Sequence, residues 1–232
     1  MPEPSAADLV NDDQPLILVG NGACDLAGLA AAPSGRLVAV DGGLRHCLAA
    51  GLTPQAVIGD MDSAGAGLLA SVGPETTVLA LADQETTDLE KALQQFSAPF
   101  CLAYGFLGLR VDHMLATLSV LARFAATHKV ILVGADDLIH VTTQPFSMAL
   151  RAGARLSVWP VGCVRFSSSS GLVWPVDGLT LCPDGQVATS NQMQTGHLTL
   201  MPSAGNKAAY AVCCDPEFLP EMTAALSTDN QP

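Results

Sequence analysis

Acidic residues stand directly after two short apolar runs in the first third of the chain. Asp41 follows the first run, and Asp60 and Asp62 follow the second, in the sequence GDMDS. Carboxylates two residues apart on a tight loop can reach one hard cation, and Mg²⁺ is usually held by one or two carboxylates together with substrate phosphates. This spacing indicates a site for a metal ion and a phosphate ligand. The alternative is that Asp62 or Ser63 caps a helix, because Asp and Ser also begin helices.

A strand, a helix and a second strand are needed to bring these acidic residues together. Residues 37–40 and 56–58 are short runs rich in β-branched side chains, and residues 43–51 have the length and terminal glycine of a compact helix. Parallel strands leave their carboxyl ends on one edge of a sheet, where open α/β folds bind ligands. We therefore expect Asp41 and the loop 59–63 to meet at that edge.

Two more predicted strand ends carry residues suited to an anion or a metal ion. The turn after the first predicted strand begins like a dinucleotide-binding fingerprint but has Asp25 where the third glycine belongs. What remains is a glycine turn at Gly22 that can bring backbone N–H groups near an anion. Thr87 and Asp88 follow another predicted strand and begin a predicted helix. A cap at Thr87, with a carboxylate in the first turn, explains this second pair without any ligand.

A further cluster follows two glycines at the start of a long apolar helix. It contains Arg110, Asp112 and His113. Arginine is a planar, permanently charged donor that suits phosphate groups, so Arg110 is a candidate for binding a phosphorylated ligand. The alternative is a structural ion pair between Arg110 and Asp112.

Composition and charge limit the class of protein. The 232 residues are 49% hydrophobic with a mean hydropathy of +0.36, which is enough for one large or two modest globular domains. A net charge of −12 argues against a nucleic-acid surface, since phosphate contacts need clustered Lys and Arg. No apolar run reaches the roughly 20 residues of a membrane helix and the acidic N-terminus does not resemble a signal peptide, so we expect a cytoplasmic location. Cysteines without a C-x-x-C pair predict buried, reduced thiols.

The hydrophobic pattern changes near residue 138 and divides the chain. Before it, strands alternate with helices, which predicts an α/β domain over 16–138 after a flexible tail, 1–15. After it, short β-like runs alternate with turns, which predicts an all-β domain over 139–232. The remaining predicted strands are 16–19, 77–81, 100–104, 130–134, 139–142, 155–161, 179–181, 197–201 and 208–213, the remaining predicted helices are 64–71, 88–96 and one ending near 126, and 167–170 is a predicted loop.

Four motifs in the first half stand in the order and spacing of the thiamine pyrophosphokinase family. They are DGG, GDMDS, DQETTD and GFLGLRVDH, which start at residues 41, 59, 83 and 105. The second half also resembles this family, through GLVWPV from residue 171 and TSN from residue 189. The resemblance therefore covers nearly the whole chain. It departs from the family at Leu109, where a glycine is usual, and at Thr117, where an asparagine is common.

This resemblance implies an activity and an architecture. It implies Mg²⁺-dependent transfer of pyrophosphate from ATP to thiamine by a homodimer, in which each subunit joins a Rossmann-like parallel α/β domain to a C-terminal β-sandwich, with the thiamine pocket between subunits. It implies Asp60, Asp62 and Asp88 as catalytic metal ligands. Arg110 and Asp112 are the other catalytic candidates, Asp112 as a base, as an aid in orienting Arg110 or as a metal ligand. The implied nucleotide-binding and thiamine-binding residues are Gly22, Asp41, Gly42, Gly43, Ser63, Gln84, Thr87, His113, Trp174, Ser190 and Asn191.

Two other classes of protein remain open from the sequence. A strand followed by D-x-D also begins phosphatases of the haloacid dehalogenase type, with Asp60 as nucleophile and Asp62 as acid. Against this class, such sites normally also need a lysine, and none of the candidates lies in a convincing loop: Lys91, Lys129 and Lys207. A non-catalytic nucleotide-binding module is the third possibility, with the acidic residues as helix caps. Without the family resemblance, the favoured interpretation of Trp174 is a core residue and that of the SN pair a simple turn.

Overall fold

A computed structural model describes residues 13–26, 29, 34–82 and 85–227. Most of the predicted tail, residues 1–12, lies outside the described residues. The chain divides into two compact units, of which unit 1 comprises Met1–Val120 with Leu132–Ala135, and unit 2 comprises Leu121–Ile131 with Asp136–Pro232. The division predicted from the sequence, at residues 138 and 139, stays a prediction about independent domains.

Unit 1 is built on a parallel sheet. Its strands are β1 (Leu16–Val19), β2 (Arg36–Val40), β3 (Ala56–Gly59), β4 (Thr77–Ala80) and β5 (Cys101–Tyr104). They pair in the order β5-β1-β2-β3-β4, each parallel to its neighbour. All four residues of β1, β3 and β5 are buried, as expected of parallel strands covered on both faces.

The helices of unit 1 connect these strands. They are α1 (Leu44–Ala49), α2 (Gly65–Leu69), α3 (Asp88–Gln95) and α4 (Val111–Phe124), and both α4 and the next strand, β6 (Val130–Val133), are divided between the two units. Each lies within the range predicted for it, apart from small differences at the ends. The mixed α/β fold expected from the sequence is therefore confirmed.

The DGG sequence forms a 3₁₀ turn, Asp41–Gly43, that packs against the end of β1. A side-chain carbon at Gly43 would overlap the carbonyl oxygen of Val19, and one at Gly42 would lie 2.5 Å from the side chain of Asn21. Only glycine fits this close approach of two backbones. The turn fixes where Asp41 leaves β2.

This packing predicts a large effect of one added methyl group. Gly43→Ala should lower the free energy of unfolding by about 3 kcal/mol and the melting temperature by roughly 6–12 °C, because the backbone at Val19 must move. Gly67→Ala is the matched control: Gly67 lies on α2 with no atom within 4 Å of an added carbon. That variant should melt at the wild-type temperature or slightly higher. Equal melting of both variants, measured by calorimetry, would contradict the contact.

Unit 2 contains eight strands and a final helix among its described residues. The strands are β7 (Leu138–Thr142), β8 (Phe146–Ala149), β9 (Arg155–Pro160), β10 (Val164–Ser170), β11 (Thr180–Leu181), β12 (Ala188–Gln192), β13 (His197–Pro202) and β14 (Tyr210–Cys214), and the helix is α5 (Leu219–Ser227). They form antiparallel sets in the orders β12-β9-β14-β7 and β11-β10-β13-β8. The rings of Phe166 and Tyr210 meet edge to face between the two sets, with centroids 5.1 Å apart.

Three expectations for unit 2 are wrong. The predicted loop 167–170 is the second half of β10, whose serine backbones pair with β13. The half predicted to be all-β ends in α5. Cys163 and Cys182, expected to be reduced, form a disulfide that joins the ends of β10 and β11.

The other five cysteines are free thiols. Cys47, Cys101 and Cys214 are buried as expected, whereas Cys24 and Cys213 are half-buried. Burial raises the pKa of Cys47 to about 12, so its thiol stays protonated and unreactive at neutral pH. No helix among the described residues has the length and apolar character needed to span a membrane.

Candidate active site

A cavity of about 650 Å³ lies at the carboxyl ends of the parallel strands of unit 1. Its volume is in the range that holds a small-molecule ligand or cofactor. Ten residues nominated from the sequence line it: Gly22, Asp41, Asp60, Asp62, Ser63, Thr87, Asp88, Arg110, Asp112 and His113. Gly42 and Gly43 are buried in the 3₁₀ turn beside it. Gln84 lies outside the described residues.

Three carboxylates converge in this cavity. Asp41, Asp60 and Asp88 each offer an oxygen within 4.8 Å of the other two. Asp41 ends β2, Asp60 follows β3 and Asp88 begins α3. Three such oxygens are the hard donors that Mg²⁺ and Mn²⁺ prefer, so the residues fit a divalent cation. The exposed Asp62, nominated as a ligand from the sequence, lies elsewhere on the cavity wall, and its role in metal binding stays a prediction.

Asp41 holds the loop that carries Asp60. Its Oδ1 accepts hydrogen bonds from the backbone N–H groups of Ser63 (3.2 Å) and Ala64 (3.0 Å). Asp41 itself has a φ of 46°, a conformation uncommon outside glycine. A side-chain carbon at Gly59 would lie 2.9 Å from the Cβ of Asp41, so the end of β3 also needs glycine there. This packing brings the first two carboxylates together.

Asp88 is placed by the start of α3. Thr87 Oγ1 accepts a hydrogen bond from the N–H of Glu90, which confirms the cap considered from the sequence. Burial raises the pKa of Asp88, while the hydrogen bond and charge of Lys91 lower it and the charges of Asp60 and Asp41 raise it further. The cap explains where α3 begins. It does not explain why Asp88 lies close to two other carboxylates.

Lys91, which the sequence analysis named only as a candidate lysine of the phosphatase alternative, is a residue of this site. It lines the cavity, is only 3% exposed, and its Nζ lies 3.0 Å from Oδ1 of Asp88. The signal for it is the spacing of Asp88 and Lys91, since residues three apart on a helix face each other. Asn21, at the turn after β1, is a second lining residue that the sequence analysis did not nominate.

Arg110 and Asp112 form an exposed ion pair at the mouth of the cavity. Nε and Nη2 of Arg110 donate to Oδ1 and Oδ2 of Asp112, at 3.2 and 2.6 Å. The hydrogen bond from Arg110 lowers the pKa of Asp112, which makes this carboxylate a weak base at neutral pH. Leu109, one of the two departures from the family pattern, has a φ of 56° and a side chain that is 76% exposed. The loop therefore keeps a left-handed conformation without a glycine there.

Unit 2 has a second cavity, of about 330 Å³, lined by Trp174, Ser190 and Asn191. Trp174 is 59% exposed, so it is not a core residue, and Ser190 and Asn191 lie in β12. The buried Asn191 amide accepts a hydrogen bond from Trp174 N (3.2 Å) and donates one to Trp174 O (2.7 Å). The amide thus positions the main chain of Trp174 and leaves its indole ring open to the cavity.

Comparison with known proteins finds similarity to thiamine pyrophosphokinases. Residues 31–133 match the family model for the thiamin pyrophosphokinase catalytic domain. Thiamine pyrophosphokinase 1 of Arabidopsis thaliana is 29% identical over 164 residues, which are 63% of this chain and 61% of that protein. Thiamine pyrophosphokinase 1 of Oryza sativa subsp. japonica is 28% identical over 156 residues, 60% and 58% of the two chains. The chain thus spans about three-fifths of the length of the curated relatives it matches.

Solved structures share the fold. The thiamine pyrophosphokinase of Bacillus subtilis has a TM-score of 0.73 and 18% identity, with 87% of this chain and 99% of that chain covered. The yeast thiamin pyrophosphokinase has a TM-score of 0.71 and 16% identity, with 88% and 87% covered. At this level of identity the likeness shows a common fold.

Proposed function

We propose that this chain is a member of the thiamine pyrophosphokinase family, as the match of residues 31–133 supports, and that it transfers a pyrophosphoryl group from ATP to the hydroxyethyl group of thiamine. The products are thiamine diphosphate and AMP. The observation that carries the proposal is the meeting of Asp41, Asp60 and Asp88 within 4.8 Å in one cavity that Arg110 also lines. A triphosphate needs a cation and fixed donors, and this cavity offers groups for both.

The carboxylate cluster is the proposed metal site. Asp60, Asp62 and Asp88 are the nominated ligands, and the geometry adds Asp41 as a fourth candidate. When bound, Mg²⁺ supplies positive charge that offsets the negative charge of the phosphates and orients them. The protein contributes the fixed position of each carboxylate, through the Asp41 hydrogen bonds to the backbone and the start of α3.

The transfer forms one phosphorus–oxygen bond, breaks another, and releases the hydroxyl proton of thiamine to solvent water. The thiamine hydroxyl oxygen bonds to the β-phosphorus of ATP, the bond from that phosphorus to the α,β-bridging oxygen breaks, and AMP leaves with the bridging oxygen. Arg110 is proposed to donate hydrogen bonds to the phosphate oxygens on which charge builds. Asp112 is proposed to orient Arg110, since its lowered pKa makes it a poor acceptor for the hydroxyl proton. The expected loose transition state reduces the need for a strong base.

Thiamine is proposed to bind at the cavity of unit 2. Its cationic aromatic rings suit the exposed indole of Trp174 in a chain of net charge −12. Ser190 and Asn191 complete that side, with Gln84 and Thr87 of a second subunit in the proposed homodimer. A Rossmann-like arrangement of unit 1, a β-sandwich in unit 2 and a cytoplasmic location belong to the same proposal, which rests on the family.

The deciding experiment measures AMP formed from ATP, with and without thiamine and Mg²⁺. We expect AMP and thiamine diphosphate in equal amounts only when both thiamine and Mg²⁺ are present. Release of inorganic phosphate without thiamine, with a trapped aspartyl-phosphate, would favour the phosphatase alternative. Binding of ATP without any turnover would favour the non-catalytic module.

A further inference from the structure

Lys91 is a buried ammonium group beside three carboxylates. It lies on α3, one turn after Asp88, and donates a hydrogen bond to Oδ1 of Asp88 at 3.0 Å. Its side chain is 3% exposed and that of Asp88 is 29% exposed. A buried lysine is unfavourable unless an opposite charge accompanies it. The position therefore requires a specific electrostatic partner.

The carboxylates beside Lys91 repel one another. Asp41, Asp60 and Asp88 approach one another within 4.8 Å, and like charges at such distances repel strongly in a partly buried site. Lys91 places one positive charge in contact with Asp88, and so beside this cluster. A divalent cation bound by the same carboxylates would supply positive charge at the same place.

We propose that Lys91 is a fixed counter-charge that holds the three carboxylates together before a divalent cation binds. It is a positioning residue, because it acts on Asp88 and the cluster, and no contact with substrate is required of it. The inference deepens the proposed function and rests on it for the identity of the cation. A cation and the Lys91 ammonium then perform overlapping tasks, since each relieves the same repulsion.

If Lys91 and a cation relieve the same repulsion, the loss of stability caused by a substitution at Lys91 should depend on whether Mg²⁺ is present. Lys91→Met keeps the length of the side chain and removes its charge. In EDTA, this variant should melt roughly 5–10 °C below the wild type, because the carboxylates lose their counter-charge. Saturating Mg²⁺ should restore at least half of that loss. Mg²⁺ should therefore raise the melting temperature of Lys91→Met more than that of the wild type.

Binding of a cation without nucleotide gives a second measurement. Calorimetric titration with Mn²⁺ should show about tenfold tighter binding to Lys91→Met than to the wild type, because a positive charge near the cluster has been removed. The matched control is Lys129→Met, which removes another partly buried lysine: Lys129 Nζ donates to the carbonyl oxygen of Leu226 at 2.9 Å. Its loss of stability should be the same in EDTA and in Mg²⁺.

The possible outcomes separate three roles of Lys91. An equal loss of stability in EDTA and Mg²⁺, with unchanged Mn²⁺ affinity, means that Lys91 only packs and overturns the proposal. Weaker Mn²⁺ binding by Lys91→Met also overturns it, because the ammonium would then assist the cation instead of performing an overlapping task. If Lys91→Met does not fold, Lys91→Gln retains a donor to Asp88 without the charge and should show the same excess response to Mg²⁺.

These readouts do not depend on turnover, so they can fail independently of the proposed function. Mg²⁺ could raise the melting temperatures of the two lysine variants equally while the wild type forms AMP in a Mg²⁺-dependent reaction. That result would contradict the role of Lys91 and leave the proposed activity unchanged. A wild type without any response to Mg²⁺ and without AMP formation would contradict both proposals.

Discussion

Replacing Asp60 with asparagine is expected to lower AMP formation from ATP and thiamine by about 10³-fold. A bound cation contributes several kcal/mol to stabilising charge in a transition state, and each 1.4 kcal/mol is about a factor of ten in rate. Asparagine keeps the size of the side chain but cannot supply the negative charge. We therefore expect most of the lost rate to return as Mg²⁺ or Mn²⁺ is raised, if the remaining carboxylates still hold the ion.

The same assay decides which carboxylates belong to the metal site. The sequence nominated Asp62, whereas the geometry brings a carboxylate oxygen of Asp41 within 4.8 Å of those of Asp60 and Asp88. Asp41→Asn retains the acceptor oxygen for the backbone groups of residues 63 and 64, so its effect isolates the charge. A loss in Asp41→Asn that matches the loss in Asp60→Asn would place Asp41 in the site. Near-normal rates for Asp62→Asn would remove that residue from the ligands.

The control for these variants is an exposed aspartate outside the cavity. Asp136→Asn removes one negative charge on unit 2 and should change neither the rate nor its dependence on Mg²⁺. Undiminished activity of Asp60→Asn at limiting Mg²⁺ would overturn the assignment of this carboxylate. Melting temperatures of all variants show whether a loss of rate reflects a loss of fold.

The parallel half of the fold could be predicted because its strands are buried on both faces. β3 is a run of four buried residues, AVIG, and such continuous apolar runs identify parallel strands without any alternation. The strands also end where acidic residues begin, at Asp41 and Asp60. The meeting of carboxylates at one edge then follows from the parallel direction of β2 and β3.

Parts of the β-rich half were harder to predict because their strands form through backbone hydrogen bonds, which do not require a particular pattern of side chains. The second half of β10 is four serines in succession, and most of them are exposed. Its strand structure comes from hydrogen bonds to β13, which any residue with a backbone N–H can make. The disulfide between Cys163 and Cys182 depends on the same kind of long-range register, since β10 and β11 pair Val164 with Leu181 immediately beside it.

The exact membership of the carboxylate cluster also depends on backbone conformation. Asp41 and Met61 both have positive φ values, 46° and 67°, in residues that are not glycine. These angles direct the side chains on either side of the loop, and no spacing rule predicts them. The sequence could therefore place Asp60 and Asp62 on one loop, but it could not determine which of them faces Asp41 and Asp88.

The second large effect is expected at Arg110. Arg110→Lys should lower kcat/KM for ATP by about 10²-fold, because removal of one aligned donor to a developing charge commonly costs that much or more. Two nitrogens of Arg110 donate to the two oxygens of Asp112. A phosphate group can accept the same bidentate pair of hydrogen bonds. Lysine keeps the positive charge but cannot donate two parallel hydrogen bonds.

An exposed ion pair elsewhere provides the matched control for this substitution. Arg151 Nη2 lies 2.6 Å from Glu217 Oε1, the same distance as between Arg110 Nη2 and Asp112 Oδ2, and both pairs are more than half exposed. Exposed pairs contribute little to stability, so Arg110→Lys and Arg151→Lys should both melt near the wild-type temperature. Only the substitution at Arg110 should change the kinetics.

Asp112→Asn then separates two of the three roles considered for that carboxylate, namely orienting Arg110 and accepting the hydroxyl proton. If Asp112 orients Arg110, its loss should weaken ATP binding as well as slow single-turnover chemistry, because the arginine is still present but less well aimed at the phosphates. If Asp112 accepts the hydroxyl proton, single-turnover chemistry should slow while ATP binding is unchanged. The lowered pKa of Asp112 favours the first result. An Arg110→Lys enzyme with wild-type kinetics would refute the two-pronged contact and would leave Asp112 without the partner through which it is proposed to act.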